Sequence, residues 1–496
     1  MDPTASPRAR PAWRRVLPWL VVAAAFGYAA LLWRHAGVCA GGSDSSGYLN
    51  QARLYQQGRL RAPVRTVAGL PTDRAPYYAY VPLGFVPRHE DQVLVPTYPS
   101  GLSLLIAAGA SVIGWEHGPA LVLVLHALAG LALVYALGRA AGLTPASAAL
   151  GALAIAASPL YLMYSLQAMS DLPALVWAAA AVVLAWHAPR RDAVAAAAGF
   201  TFGMAVLVRP TNALMAAPVL LALGWSWRRL LWFGLGGLPC AAWLVYLNLR
   251  LYGSPVLTGY GDVGNLLSPE WVGPALRHYA RWLPALLSPL VVLALGLPAL
   301  ARRQGRAVLV LGSWIAVTFG FYAFYYHTHE TWWYLRFVLP AFPALVVGAL
   351  VVGERLVLPR GRFARAAAAG IAAAAVIASG WHWSRHWHVL ETGRQERLYA
   401  RAADWVRAEL PDDTVLVAMQ NSGALFFYTD RTVVRWDTLD GGWAPVRAAL
   451  EASGRPVYAV LFEFELKEAL GEKAPGPWTR VHEIGPISCW RLDRGP

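Results

Sequence analysis

Residues 98–114 read YPSGLSLLIAAGASVIG. The run is apolar and rich in glycine, but shorter than the ~20 residues a helix needs to cross a bilayer. Its reading decides the fold, because if it spans, every later loop changes side. The arginines settle the choice. With 98–114 lying in, or dipping into, the outer interface, one set of loops collects Arg139, Arg190 with Arg191, Arg228 with Arg229, then Arg302, Arg303 and Arg306, then Arg360, Arg362 and Arg365. Arg8, Arg10, Arg14 and Arg15, ahead of the first apolar run, fall on the same side. The opposite connections 161–171 and 327–332 carry no Lys or Arg, and the turn at 209–210 carries one. This is the positive-inside pattern. The runs 16–33, 119–138, 145–160, 172–188, 193–208, 211–226, 230–250, 283–301, 307–326, 333–357 and 366–383 then predict a polytopic α-helical membrane protein of about eleven spans, N-terminus inside and C-terminus outside.

Composition agrees. The chain has 496 residues, 57% hydrophobic and 14% charged, with a mean hydropathy of +0.42. Soluble domains carry about 25% charged residues. The formal charge of +14 does not indicate nucleic acid, since the arginines sit in small clusters between apolar runs, where they fix topology and meet lipid headgroups. The first apolar run has no clear small-residue cleavage site and reads as a retained span. Cys39, Cys240 and Cys489 match no metal spacing; Cys39 and Cys489 both fall outside and are free to pair.

The chain divides into a membrane domain, 1–385, with a large first outer loop at 34–118, and a C-terminal extracytoplasmic unit at 386–496. The latter changes character. A helix at 394–410 is followed by strand-like runs at 414–419, 432–436, 456–464 and 487–492, alternating with helix-like stretches at 442–453 and 464–471. That alternation predicts a small α/β domain. It has no glycine-rich phosphate loop.

Two isolated aspartates fall on the outer face. Asp44, in CAGGSDSSGYLNQARLYQQGRL (39–60), follows the first span within a few residues. Asp44 or Ser45 can cap the helix that follows, and a cap alone would account for the residue. Asp171, in QAMSDLPAL, starts a span and has the same plain reading, with Ser170 or Asp171 ahead of Pro173 as a helix start. Arg209 in VRPT and Arg336 in YLRFVLP sit at the outer ends of spans. Snorkelling would explain them, yet they oppose the charge bias of the other loops, which favours an anion ligand. Tyr48, Tyr98 and Tyr164 are cavity candidates, though interfacial tyrosines are expected in any case. His327, His329 and Glu330 form one histidine group, His382 and His386 another. Helical histidine pairs bind zinc, but an aromatic interfacial belt is the simpler account.

The order of these segments resembles the GT-C glycosyltransferases. The stretches SDSSGYLNQARLYQQGRL, YPSGLSLLIAAGASVIG, ASPLYLMYSLQAMSDLPALVW and VRPTNALMAAPVLL, with WYLRFVLPAFPAL (333–345) and SGALFFYTDR (422–431), are similar to bacterial relatives of the protein O-mannosyltransferases and the aminoarabinose transferases of lipid A, the family 39 type. The resemblance implies a transferase of the bacterial cytoplasmic membrane. It would move a sugar from a polyprenyl-phosphate donor to a lipid, glycan or protein acceptor on the outer face. The family's acidic residue after the first span maps onto Asp44, with Ser45 where many members have a second acid. Asp171 would orient the acceptor or join a cation site. No cofactor is required by the pattern, and a divalent cation is left open. The chemistry is consistent with one carboxylate and one or two arginines. A base takes the acceptor proton, cations hold the phosphate, and phosphate departs without a strong acid.

Two other classes compete. A lipid-linked glycan transporter would suit many spans, but such proteins place charged or broken helices at mid-membrane. A non-catalytic envelope assembly or sensor protein would use the α/β unit as its head. Convergence of Asp44, Asp171, Arg209 and Arg336 in one outer site favours transfer; scatter favours the sensor.

Overall fold

The computed structural model describes residues 13–67, 77–88, 91–357, 361–439 and 442–493. Arg8, Arg10 and Arg360 of the topology argument lie outside them.

Each apolar run read from the sequence is helical over most of its length. In chain order the helices are α1 (Trp13–His35), α2 (Ser43–Gln56), α3 (Ser100–Ala140), α4 (Pro145–Ala156), α5 (Pro159–Tyr164), α6 (Asp171–His187), α7 (Asp192–Val208), α8 (Ala216–Leu223), α9 (Trp227–Tyr252), α10 (Val272–Leu287), α11 (Gly305–Ala323), α12 (Phe342–Val352) and α13 (Arg362–His386). Among the described residues, five helical stretches are long and apolar enough to cross a membrane. Others are shorter, α4, α6 and α7 among them.

The decisive stretch behaves as a separate helix. α3 breaks at Ile113 and Gly114, where Gly114 takes φ +82°, ψ 169°, a conformation open to glycine and costly to other residues. Beyond the break the chain turns back on itself. A side chain on Gly109 would run into Val122 and the carbonyl of Gly118, so two glycines let the two halves touch. Residues 100–112 therefore do not continue the line of 115–140.

The run 283–301 departs from a simple span. Ser288, at φ +68°, separates an amphipathic helix from the 3₁₀ turns of Pro289–Leu300, and the two meet at 114°. The proline at 289 explains the stop, since it disfavours helical geometry in the residue before it.

The large loop between α1 and α3 carries a small antiparallel sheet of β1 (Ala62–Pro63), β2 (Phe85–Arg88) and β3 (Val93–Pro96), ordered β1-β3-β2. The C-terminal unit contains α14 (Thr392–Glu409), β4 (Val415–Val417), α15 (Ser422–Tyr428), β5 (Thr432–Val434), α16 (Trp443–Ala452), β6 (Val457–Phe462), β7 (Trp478–Ile484) and β8 (Ile487–Leu492). Its five-stranded sheet runs β5-β4-β6-β8-β7. The β5-β4-β6 part is parallel and the β6-β8-β7 part antiparallel.

This unit shares its core with the first loop. Val67, Ala79 and Tyr80 pack in one cluster with Val415, Val434, Trp436 and Leu461. Phe426 of α15 joins Leu54, Ala62, Tyr77 and Leu94 in another. α15 docks on α2 so closely that a side chain on Gly423 would overlap Ser46 Oγ and the Leu83 carbonyl. Asn50 Nδ2 donates to the Gly423 carbonyl at 3.0 Å, and Arg53 donates to the Phe427 carbonyl over the Phe427 ring. Burial of the apolar side chains stabilises the joint by about 1.5–3 kcal/mol each.

Candidate active site

Neither aspartate caps its helix through the side chain. The N-cap of α2 is Gly42, which has no side chain to offer, and that of α6 is Ser170, without a side-chain capping bond. Each aspartate lies in the first turn, where the helix N-terminus favours negative charge. Their carboxylates face two guanidinium groups instead. Arg336 Nη1 donates to Asp44 Oδ2 at 2.8 Å and lies 3.9 Å from Asp171 Oδ2. Arg209 Nη2 donates to Asp171 Oδ1 at 2.6 Å, and its Nη1 reaches the Arg336 carbonyl at 3.5 Å. Four residues from four separate parts of the chain form one alternating cluster. Exposure rises along it: the side chains are 1% exposed at Asp171, 12% at Arg209, 17% at Arg336 and 27% at Asp44. Asp44 is the member open to an incoming molecule.

Local geometry explains the placement. Arg209 ends α7 in extended conformation, and Pro210 begins the next turn, which throws the side chain off the helix toward α6. Arg336 lies in the turns of Trp332–Ala341, its guanidinium 5.1 Å from the Phe337 ring centre and 5.6 Å from that of Tyr334. Arg336 Nε is buried with no acceptor, and Asp171 Oδ2 is buried with no hydrogen-bond donor.

The three tyrosines gather here as well. Tyr98 hydroxyl lies 2.9 Å from Ser43 Oγ and also reaches the Asp44 carboxyl. The Tyr48 ring lies against Tyr98 at a tilt of 36°, centroids 4.9 Å apart, with its hydroxyl toward Ser170. Tyr164 donates to the Trp333 carbonyl at 3.1 Å. Burial alone would lift the Asp44 carboxyl. The Arg336 guanidinium outweighs it, aided by Tyr98 and the more distant Arg209, and holds Asp44 below the usual carboxylate range. Burial lifts the Tyr98 phenol, and the Asp44 charge lifts it further.

Sequence reasoning missed three contributors. Tyr260, in the connection between α9 and α10, meets Tyr98 edge-on at 5.9 Å; Gly259 lets that loop lie on Thr97. Tyr322 bonds Thr211 Oγ1 at 2.7 Å and stacks on Phe337, backing Arg209. Glu396, on α14, accepts from Ser45 Oγ at 2.8 Å. No motif marks any of them.

The donor set does not fit a cation at Asp171. Both aspartates already face guanidinium groups, and among the described residues no three His, Cys, Asp or Glu side chains converge. His327 pairs with Glu330 at 2.7 Å, His329 stacks on Trp271, and His382 stacks on His386. The three cysteines are free, Cys240 and Cys489 buried.

No family model matches the chain, and no curated protein matches it in sequence. Solved structures do. ArnT from Cupriavidus metallidurans in the apo state is 16% identical, with a TM-score of 0.64 over 96% of this chain and 98% of that one. The same protein bound to undecaprenyl phosphate gives 14% identity and 0.60, again over 96% and 98%. The archaeal oligosaccharyltransferase AglB from Archaeoglobus fulgidus, in complex with an inhibitory peptide and a dolichol-phosphate, gives 12% and 0.52 over 97% of this chain and 75% of that one. At these identities the likeness is one of fold: this chain is a multi-pass membrane protein with the GT-C fold, in the arrangement seen in ArnT.

Proposed function

We propose that the protein is a membrane glycosyltransferase that moves a sugar from a polyprenyl-phosphate donor to an acceptor hydroxyl at the outer face of the cytoplasmic membrane. One observation carries the reading: Asp44, Asp171, Arg209 and Arg336 converge on one site. A transporter of lipid-linked sugar would use the two arginines on the phosphate but has no need of a base beside them. A sensor head gives no reason for four charged residues to meet at the far side of the first loop.

The arrangement supports a specific sequence of events. Without donor, Asp44 is held by Arg336 and is a weak base. A donor phosphate competes for Arg336, whose Nε has no acceptor of its own, and for Arg209. Arginine's planar fork suits phosphate oxygens. As Arg336 turns to the phosphate, Asp44 loses its partner and gains basicity. It then takes the proton of the acceptor hydroxyl. The acceptor oxygen bonds to the anomeric carbon as the carbon–oxygen bond to phosphate breaks, and the polyprenyl phosphate leaves as an anion held by the arginines. Direct displacement inverts the anomeric centre. Asp171 stays buried as the anchor of Arg209. The sugar can be a hexose or a pentose, and the acceptor a lipid, a glycan or a protein.

The experiment is incubation of purified protein in lipid nanodiscs with a panel of polyprenyl-phosphate sugars, following release of polyprenyl phosphate. Turnover with at least one donor is expected. Transport of intact lipid-linked sugar without release would overturn the reading.

A further inference from the structure

Asp44 stands at the end of a short turn, residues 36–43, which Leu166 and Tyr98 hold on one side and the C-terminal unit holds on the other. Arg397 donates to the Ala36 carbonyl. Gly37 and Gly393 meet backbone to backbone. Ala40 N donates to the Tyr428 hydroxyl at 3.1 Å. Tyr399, itself bonded by Gln420 Nε2 at 2.9 Å, lies with Gln420 beside Gly42. At the centre is Glu396. Its Oε2 accepts from Ser45 Oγ at 2.8 Å, the Gly42 N–H faces the same carboxyl, and a side chain on Gly41 would overlap Oε2. The glycine pair thus opens a slot that a carboxylate from 351 residues away fills.

Resting on the reading of Asp44 as base, we propose that Glu396 is its positioning residue: through Ser45 and Gly42 the ionised carboxylate fixes the turn that presents Asp44, and its charge makes Asp44 the stronger base. The charged and titratable groups around it are few. Asp44 faces it from α2, Cys39 from the turn, and Tyr399 from its own helix, with Arg397 next to it in the chain. Arg397 is drawn away to Ala36. Burial, with a smaller push from Asp44, moves the carboxyl up to about 7, against the bonds from Ser45 and Gly42. The residue therefore changes charge near neutrality.

The test has two arms. Hydrogen–deuterium exchange on the full-length protein in nanodiscs, with no substrate, compares wild type with Glu396→Ala and Glu396→Gln. Exchange over residues 36–48 should rise roughly ten-fold in the alanine variant, with α6 and α7 unchanged. Glutamine, which still accepts from Ser45, should stay protected. The second arm takes a polyprenyl-phosphate sugar that wild type turns over and follows kcat from pH 5.5 to 8.5. Wild-type kcat should rise through the Glu396 titration. In Glu396→Gln it should lose that limb and fall roughly ten-fold at high pH, with donor KM within about two-fold. Unchanged exchange in the alanine variant overturns the proposal. So does a wild-type profile with no limb, or a glutamine variant that keeps it. If wild type turns over no donor, the function assigned above fails, and the exchange arm still decides whether Glu396 holds the turn.

Discussion

Replacing Asp44 with Asn tests the proposed chemistry with little damage to the fold. Asn is nearly the same size, and its carbonyl oxygen still accepts from Arg336 Nη1, now at 2.8 Å from Asp44. Arg336 keeps a second carboxylate at 3.9 Å. No cap is lost, because α2 is not capped by this side chain. A hydrogen bond between charged partners contributes roughly 1.5–3 kcal/mol and a neutral one about 1 kcal/mol. At 27% exposure for Asp44 solvent trims the difference, so the stability loss is about 1 kcal/mol. Removing a general base costs about 10²–10⁴ in rate, roughly 2.7–5.5 kcal/mol of barrier. The two effects differ enough to separate. The assay is release of polyprenyl phosphate at saturating donor, beside a thermal unfolding curve and a donor-binding titration. The expected result is loss of turnover, unfolding shifted by a few degrees or less, and donor binding equal to or tighter than wild type, because Arg336 no longer has to leave a charged partner. Full turnover in Asp44→Asn would refute the assignment. Loss of binding in step with turnover would place the residue in donor recognition.

The other charged residues give contrasting expectations. Asp171→Asn leaves Arg209 without its buried anion, so it should destabilise by about 3–5 kcal/mol and raise donor KM; unfolding curves matching Asp44→Asn would show that Asp171 is not the anchor of Arg209. Arg336→Lys and Arg209→Lys should weaken donor binding by roughly ten-fold or more, since lysine lacks the fork, and unchanged binding in both would return them to headgroup contacts. Asp44's carboxyl is depressed in the folded protein, so its contribution to stability is present above the unfolded value of about 3.9 and is lost as pH falls through the folded one. Unfolding temperature should drop below about pH 4 in wild type, less steeply in Asp44→Asn. In sealed, right-side-out membranes a cysteine at 329 should label from outside and one at 190 only after permeabilisation; the exchanged pattern, 190 outside and 329 inside, would reverse the assignment of residues 98–114.

The apolar helices, long and short, were legible because their runs are set off by arginine, proline or glycine. Arg209 and Arg336 were legible as exceptions to the charge bias, Asp44 and Asp171 as isolated acids after the first apolar run and at the start of another. Their mutual pairing was not, since nothing local links Asp44 to a guanidinium 292 residues away. The break at Ser288 was hidden inside an unbroken apolar string, where only Pro289 hinted at it. α15 went unread as a helix because SGALFFY is short and apolar on every side, which fits a strand or a helix equally well. β7 was missed because it is an edge strand with mostly solvated side chains, so it lacks an apolar alternation. Glu396 sits in GRQERL, which looks like the wet face of an amphipathic helix; only the glycine pair at 41–42, across the chain, gives it a different role.

The docking of α15 on α2 also sets a timetable. The segment bearing Asp44 emerges early in synthesis, while Gly423, which receives Asn50, follows 373 residues later. At 5–20 residues per second that is a delay of roughly 20–75 s. Through that interval Ser45, Ser46 and Asn50, buried in the finished protein, must wait in water or on a chaperone. Residues 36–50 cannot take their final contacts until α14 and α15 have been made and have docked. A chain stopped before α14 would carry every helix from α1 to α13 and still lack the contacts that seat Asp44.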